Sequence, residues 1–135
     1  MSRFEPGQEF PPLEIEVTRT VIVAGAMATQ DFEDVHHDPD LAITRGTADT
    51  YLSINTTNGF LCRYVTDQLG PTARVHRLRT RLGVPHLAGM TLTLTGRVED
   101  VTGERITIAV QGRNPSGVHA SATLEVELTD PGADR

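Results

Sequence analysis

Between residues 73 and 129 apolar and polar side chains alternate almost without a break, and no other feature restricts the fold so tightly. A period of two puts one set of side chains on each face of a strand. Leu92, Leu94 and Val98 share a face, with Thr91, Thr93 and Thr95 opposite. Ile106, Ile108 and Val110 line one side of the next segment. In the last segment, Ala120, Ala122, Leu124, Val126 and Leu128 alternate with His119, Ser121, Thr123, Glu125 and Glu127. Strands are therefore predicted at 73–83, 90–101, 104–114 and 117–129. Thr102-Gly103 and Pro115-Ser116-Gly117 leave room only for tight connections, so these strands form an antiparallel meander.

The apolar face of that meander needs a cover, and the first half supplies it. Residues 1–12, rich in Pro, Gly and Glu, read as an extended N-terminal arm, and Leu13 to Val17 as a short strand. Thr18 is the N-cap of a helix of about ten residues ending near Asp31. Gly25 weakens that helix and permits close packing. Asp38-Pro39 is a cap followed by Pro at the first helical position, opening a short helix through Leu41, Ala42 and Ile43. A longer helix is predicted from Ser53 to Leu69, with Ile54, Thr57, Leu61, Val65 and Leu69 at helical spacing, and Gly70-Pro71 stops it. Gly59 inside it costs about 1 kcal/mol against Ala and so needs a packing or functional reason. One long helix wrapped by a curved antiparallel sheet is α+β, the hot-dog arrangement in outline. A single domain over 1–135 is expected, with 130–135 as a flexible tail. The sheet's open edges lead us to expect a dimer or a higher assembly.

Composition excludes several function classes. A net charge of −6 argues against general nucleic-acid binding, and 4% aromatics against a base-stacking platform. No apolar run approaches the ~20 residues of a membrane helix, and MSRFEPGQEF has no signal-peptide core, so a soluble, cytoplasmic protein is expected. The single Cys62 excludes an internal disulfide and a cysteine-based zinc site, and on the apolar stripe of the long helix it reads as core. All 12 basic residues are Arg, which removes Schiff-base chemistry. No Ser has a G-x-S-x-G context.

The chemistry concentrates in DFEDVHHDPDLA, residues 31–42. Asp31 and His36 are five apart, which is wrong for one helical face and right for a helix end running into a turn. A carboxylate there can hold or deprotonate a water, and an imidazole can move a proton near neutral pH. The alternative reading is a helix-end carboxylate and a surface His. His37 and Asp38 are adjacent, so their side chains diverge and no third ligand group stands at a familiar spacing; no metal is expected, and Asp38 reads as a cap. At the start of the long helix, Ser53, Ile54 and Asn55 offer unpaired backbone N–H groups and a positive dipole end that could stabilise a thioester or enolate oxygen. Ser53 can equally be a plain cap. Asn55 and Asn58 are polar on a helix expected to be buried. Arg77, Arg79 and Arg81 share one face of a strand beside Arg74 and could meet the phosphates of a cofactor; a solvated strand face is the commoner explanation.

The Asp31–Ala42 segment resembles the MaoC-like (R)-specific enoyl-CoA hydratase family, in which an Asp, four residues and a His are followed by Asp-Pro and a small residue. Here these are Asp31, His36, Asp38-Pro39 and Ala42, with Glu33-Asp34 where Asn-Pro is usual. ATQDFEDVHHDPD, RYVTDQLGP and RLGVP are similar to the small hydratase subunits of actinobacterial cholesterol side-chain degradation. The resemblance implies hydration of a steroid enoyl-CoA by Asp31 and His36, with no cofactor beyond the substrate's own CoA. It implies a larger MaoC-like partner subunit without the dyad, and a heterotetramer. The family's usual His-Gly at the helix start corresponds to Ser53-Ile54 without a gap; Gly59 would need a five-residue insertion to serve. A hot-dog thioesterase and a non-catalytic partner subunit are the alternatives.

Overall fold

The computed structural model describes residues 3–129. Strand β1 (Glu9–Glu16) leads into helix α1 (Arg19–Ala28), a 3-10 turn (Asp34–His36) and helix α2 (Pro39–Thr44). The long helix α3 (Ile54–Leu69) follows, then strands β2 (Ala73–Leu82), β3 (Thr91–Thr102), β4 (Arg105–Asn114) and β5 (Gly117–Leu128). The five strands form one antiparallel sheet in the order β1-β3-β4-β5-β2, leaving β1 and β2 as its edges. The sheet wraps α3, which is the hot-dog fold. No helix among the described residues is long and apolar enough to cross a membrane.

Alternation places the core where it was expected. Leu92, Leu94, Val98, Ile106, Ile108, Leu124 and Val126 turn toward α3, whose Leu61, Tyr64, Val65 and Leu69 are at most 1% exposed. Ser53 caps α3 and Gly70 terminates it, as predicted. The predicted helix packing at Gly25 also holds: a Cβ there would overlap the side chain of Thr56 on α3. Gly59 has no such role. It is exposed in mid-helix, and a Cβ would meet nothing within 4 Å. Gly59→Ala should therefore stabilise the fold by about 0.5–1 kcal/mol, read as a higher urea midpoint.

Four expectations are corrected. The arm over 1–12 is part of the sheet from Glu9 onward, and Phe4 and Phe10 pack edge to face in the core. The strand expected from Leu13 is present but begins earlier: Pro11 and Pro12 hid its first half, and they sit at a bulge between Phe10 and Leu13 on an edge, where the missing N–H breaks no ladder. Helix α1 ends at Ala28 rather than near Asp31. Asn55 is exposed rather than buried, because the start of α3 is uncovered on one side. His119, placed on the solvent face by strict alternation, is 3% exposed. A bulge between Gly112 and Arg113 pairs these with Ala120 and Val118, leaving His119 as the extra residue of its strand, turned inward. The predicted tail, 130–135, lies outside the described residues.

Candidate active site

Asp31 is placed by the way α1 ends. The helix closes with the Asp31 N–H donating to the Ala26 carbonyl (2.8 Å) and Gln30 in the left-handed region at φ 58°. This is the six-to-one closure usually built with Gly. It turns the chain sharply and aims the Asp31 carboxylate back at the start of α3. The next two residues lead to the 3-10 turn, which buries His36 at 6% exposed.

Asp31, His36 and Ser53 meet at one point. The Ser53 hydroxyl donates to Asp31 Oδ2 (2.6 Å) and accepts the Asn55 N–H (3.1 Å), so one oxygen both caps α3 and fixes the carboxylate. His36 Nε2 lies 3.4 Å from the same Asp31 Oδ2. His36 Nδ1 is 2.6 Å from the Tyr51 carbonyl oxygen. A carbonyl only accepts, so Nδ1 carries a proton, and Nε2 is the nitrogen turned to the site. The Tyr51 ring packs edge-on against the imidazole at 5.2 Å. The hydrogen bond from Ser53 holds the Asp31 carboxyl below its ordinary value, helped by His36 and the Glu33 backbone and opposed by burial.

That shift fixes a sign for acid stability. The folded state holds the Asp31 proton less well than the unfolded chain, so this contribution is full above pH 3.8 and lost as pH falls through the folded value. His86 and His119 are pushed below 6.5, chiefly by burial, so the unfolded chain takes up protons first below that pH. Stability should be level above about pH 6.5, decline below it, and decline again below about pH 4. Urea midpoints across this range check it; a level profile down to pH 5 would contradict the burial of the two imidazoles.

The other expected site residues are spread differently. Ile54, 44% exposed, opens α3 beside Ser53, and its N–H has no acceptor within the helix. Asn55 already gives its N–H to the Ser53 hydroxyl. Gly59 lies one turn further along the same exposed face as Asn55. Asn58 accepts from the Thr80 hydroxyl (2.8 Å) and ties α3 to β2. Since Thr80 points to the helix, Arg79 and Arg81 point away from it, and Arg77 is exposed opposite Glu125. These three arginines lie on the outer face of the sheet and are not brought to the dyad within this chain. Asp38 caps α2 through the Leu41 N–H, and His37 turns outward to Asp34 (3.5 Å). Among the described residues no three His, Cys, Asp or Glu side chains could share a metal ion. Spacing did not reveal two members of the site: Ser53 as the direct partner of Asp31, and the Tyr51 carbonyl that fixes His36.

No protein-family model matches the chain. Its fold superposes with a TM-score of 0.88 on the (R)-hydratase from A. caviae involved in PHA biosynthesis, covering 96% of this chain and all of that one at 18% identity. At 44% identity over 92% of its length to a hydratase beta subunit, the chain belongs to the MaoC-like hydratase family. It is 44% identical over 124 residues to the 3-oxo-4,17-pregnadiene-20-carboxyl-CoA hydratase beta subunit of Mycobacterium tuberculosis, spanning 92% of this chain and 96% of that protein. It also matches a chain in the crystal structure of the ChsH1-ChsH2 complex from Mycobacterium tuberculosis, with a TM-score of 0.91, 42% identity, and 93% and 98% of the two chains covered.

Proposed function

We propose that this chain is an enoyl-CoA hydratase that adds water across the 2,3-double bond of a steroid side-chain thioester, as the catalytic subunit of a two-protein complex. The observation that carries the reading is the meeting of Asp31, His36 and Ser53, with Nε2 3.4 Å from the carboxylate that Ser53 holds. The beta-subunit relative and the two-protein complex support the substrate class and the partner. The partner is a larger MaoC-like subunit without the dyad, and the assembly a heterotetramer.

A water between Asp31 and Nε2 would donate to both. A carboxylate stabilised by Ser53 is a weak base, which leaves proton abstraction to His36. As the water oxygen bonds to the β-carbon, its proton passes to Nε2 and the π electrons move onto the thioester as an enolate. Asp31 stabilises the imidazolium, and the Ile54 N–H at the positive end of α3 stabilises the enolate oxygen. Nε2 then returns the proton to the α-carbon from the same face, so the product is substrate plus one water. The thioester already activates the alkene, so no metal or redox cofactor takes part.

The test is to incubate a steroid enoyl-CoA with the chain and its partner and to weigh the product. A 3-hydroxyacyl thioester, heavier by one water and still bearing CoA, supports the reading. Release of free thiol would move it to thioester hydrolysis.

A further inference from the structure

Behind the dyad, two imidazoles are buried more deeply than His36: His86 is 0% and His119 3% exposed, with their rings edge to face at 5.6 Å. All four nitrogens are engaged. His119 Nδ1 lies 2.7 Å from the Val84 carbonyl and Nε2 2.9 Å from the Thr57 hydroxyl. His86 Nε2 lies 3.1 Å from the Met90 carbonyl and Nδ1 3.2 Å from the Asn114 amide nitrogen. Because carbonyls only accept, His119 is protonated on Nδ1 and His86 on Nε2. The opposite nitrogens then accept, from the Thr57 hydroxyl and from the Asn114 amide. The Ser116 N–H donates to Asn114 Oδ1 (2.8 Å), which fixes the amide with its nitrogen toward His86 and the Pro85 carbonyl. The groups that face the pair are a hydroxyl, an amide and main-chain carbonyls, none of them charged. Neutral imidazoles satisfy every one of them.

Together these bonds clamp the 83–90 segment between the bulge of β5, the end of β4 and α3. The clamped segment in turn holds the strand of chain that carries the site. The His86 carbonyl accepts the Leu52 N–H (2.9 Å) and the Ala88 N–H donates to the Thr50 carbonyl (3.0 Å). Tyr51, between them, bridges to Leu87 and offers its carbonyl to His36 Nδ1. Ser53, next along, holds Asp31. A continuous set of directed bonds thus runs from Thr57 and Asn114 to the one acceptor that orients His36.

We infer that His86 and His119, with Thr57 and Asn114, are positioning residues that set the Tyr51 carbonyl and through it the direction of His36 Nε2. An apolar pair would fill the same space and bury more favourably, but it would leave the Val84 carbonyl without its donor, the Met90 carbonyl held by the Val17 N–H alone, and the 83–90 segment free to shift. Displacements of about 1 Å at a reacting group can cost about a hundredfold in rate. The inference rests on the hydratase reading for its kinetic consequence, but not for its structural one.

The test uses Thr57→Val, which keeps the volume and removes the donor to His119, and Asn114→Ala, which removes the donor to His86. Thr57→Ser, which keeps the hydroxyl, is the control. Each is assayed as the complex with the partner subunit, for kcat and KM in hydration, for thermal midpoint, and for the ¹⁵N signals of the His36 ring. The expected result is a fall in kcat of roughly ten- to a hundredfold with KM within about threefold, and a moved His36 Nδ1 signal. Thr57→Ser should restore both. Wild-type kcat and unmoved His36 signals, with only a lower midpoint, would overturn the inference and leave the pair a purely structural role. If the wild-type complex hydrates nothing, the proposed function fails, and the His36 signals alone decide the positioning.

Discussion

Asp31→Asn should lower hydration turnover by about 10²–10⁴-fold while KM changes little and the fold is retained. Asn matches the carboxylate in shape and can still meet Ser53, which caps α3 whatever stands at position 31. What is lost is the negative charge 3.4 Å from His36 Nε2, and with it an acceptor for the attacking water. The imidazolium formed as water adds would then have no counter-charge. His36→Gln should cost as much, because no other described side chain near Asp31 can carry the proton. The double variant should be little worse than either single one, since the two side chains act as a unit. Ser53→Ala should be milder, roughly tenfold: it leaves the dyad but frees the carboxylate and uncaps α3, at about 1 kcal/mol of stability. Steady-state rates and circular dichroism of each complex check the series. Near-wild-type turnover in both Asp31→Asn and His36→Gln would remove the site from the reaction.

The second large effect is on stability. Leu61 is fully buried at the middle of α3, inside the wrapped sheet. Leu61→Ala removes its transfer energy and leaves a cavity that the sheet cannot close, at a cost of about 2–5 kcal/mol. A domain of this kind has only about 5–15 kcal/mol in total. Denaturant unfolding should show a sharply lowered midpoint with an unchanged slope. Turnover should survive at low temperature while the fold persists, because Leu61 lies two turns along α3 from Ser53. A loss below about 1 kcal/mol would mean that α3 is not gripped by the sheet as described.

How far the sequence could be read depended on the range of each interaction. Strands β2 to β5 and helix α3 were legible to within about a residue, since alternation and capping are local patterns. Asp31 and His36 were legible as a spacing, because a helix end and a turn bring them together within a short stretch. The rest of the site was not. Ser53 reaches Asp31 across 22 positions, and Tyr51 holds His36 through a carbonyl that any residue could supply. His119 was misplaced because a single bulge inverts the side-chain alternation, and nothing in the alternating segment marks where that extra residue falls. The first half of β1 is hidden by two prolines that an edge tolerates. Arg77, Arg79 and Arg81 form a conspicuous local pattern, but which face of the sheet they occupy is set by the Thr80–Asn58 bond to α3, across 22 positions.

The central claim is that this chain brings the chemistry to a two-protein hydratase. The most direct measurement is the loss of conjugated-thioester absorbance of a steroid enoyl-CoA with this chain alone, with the larger MaoC-like partner alone, and with both. Loss is expected only when both are present, without release of free thiol. Equal loss with the partner alone would contradict it, because the catalytic groups would then lie outside Asp31, His36 and Ser53.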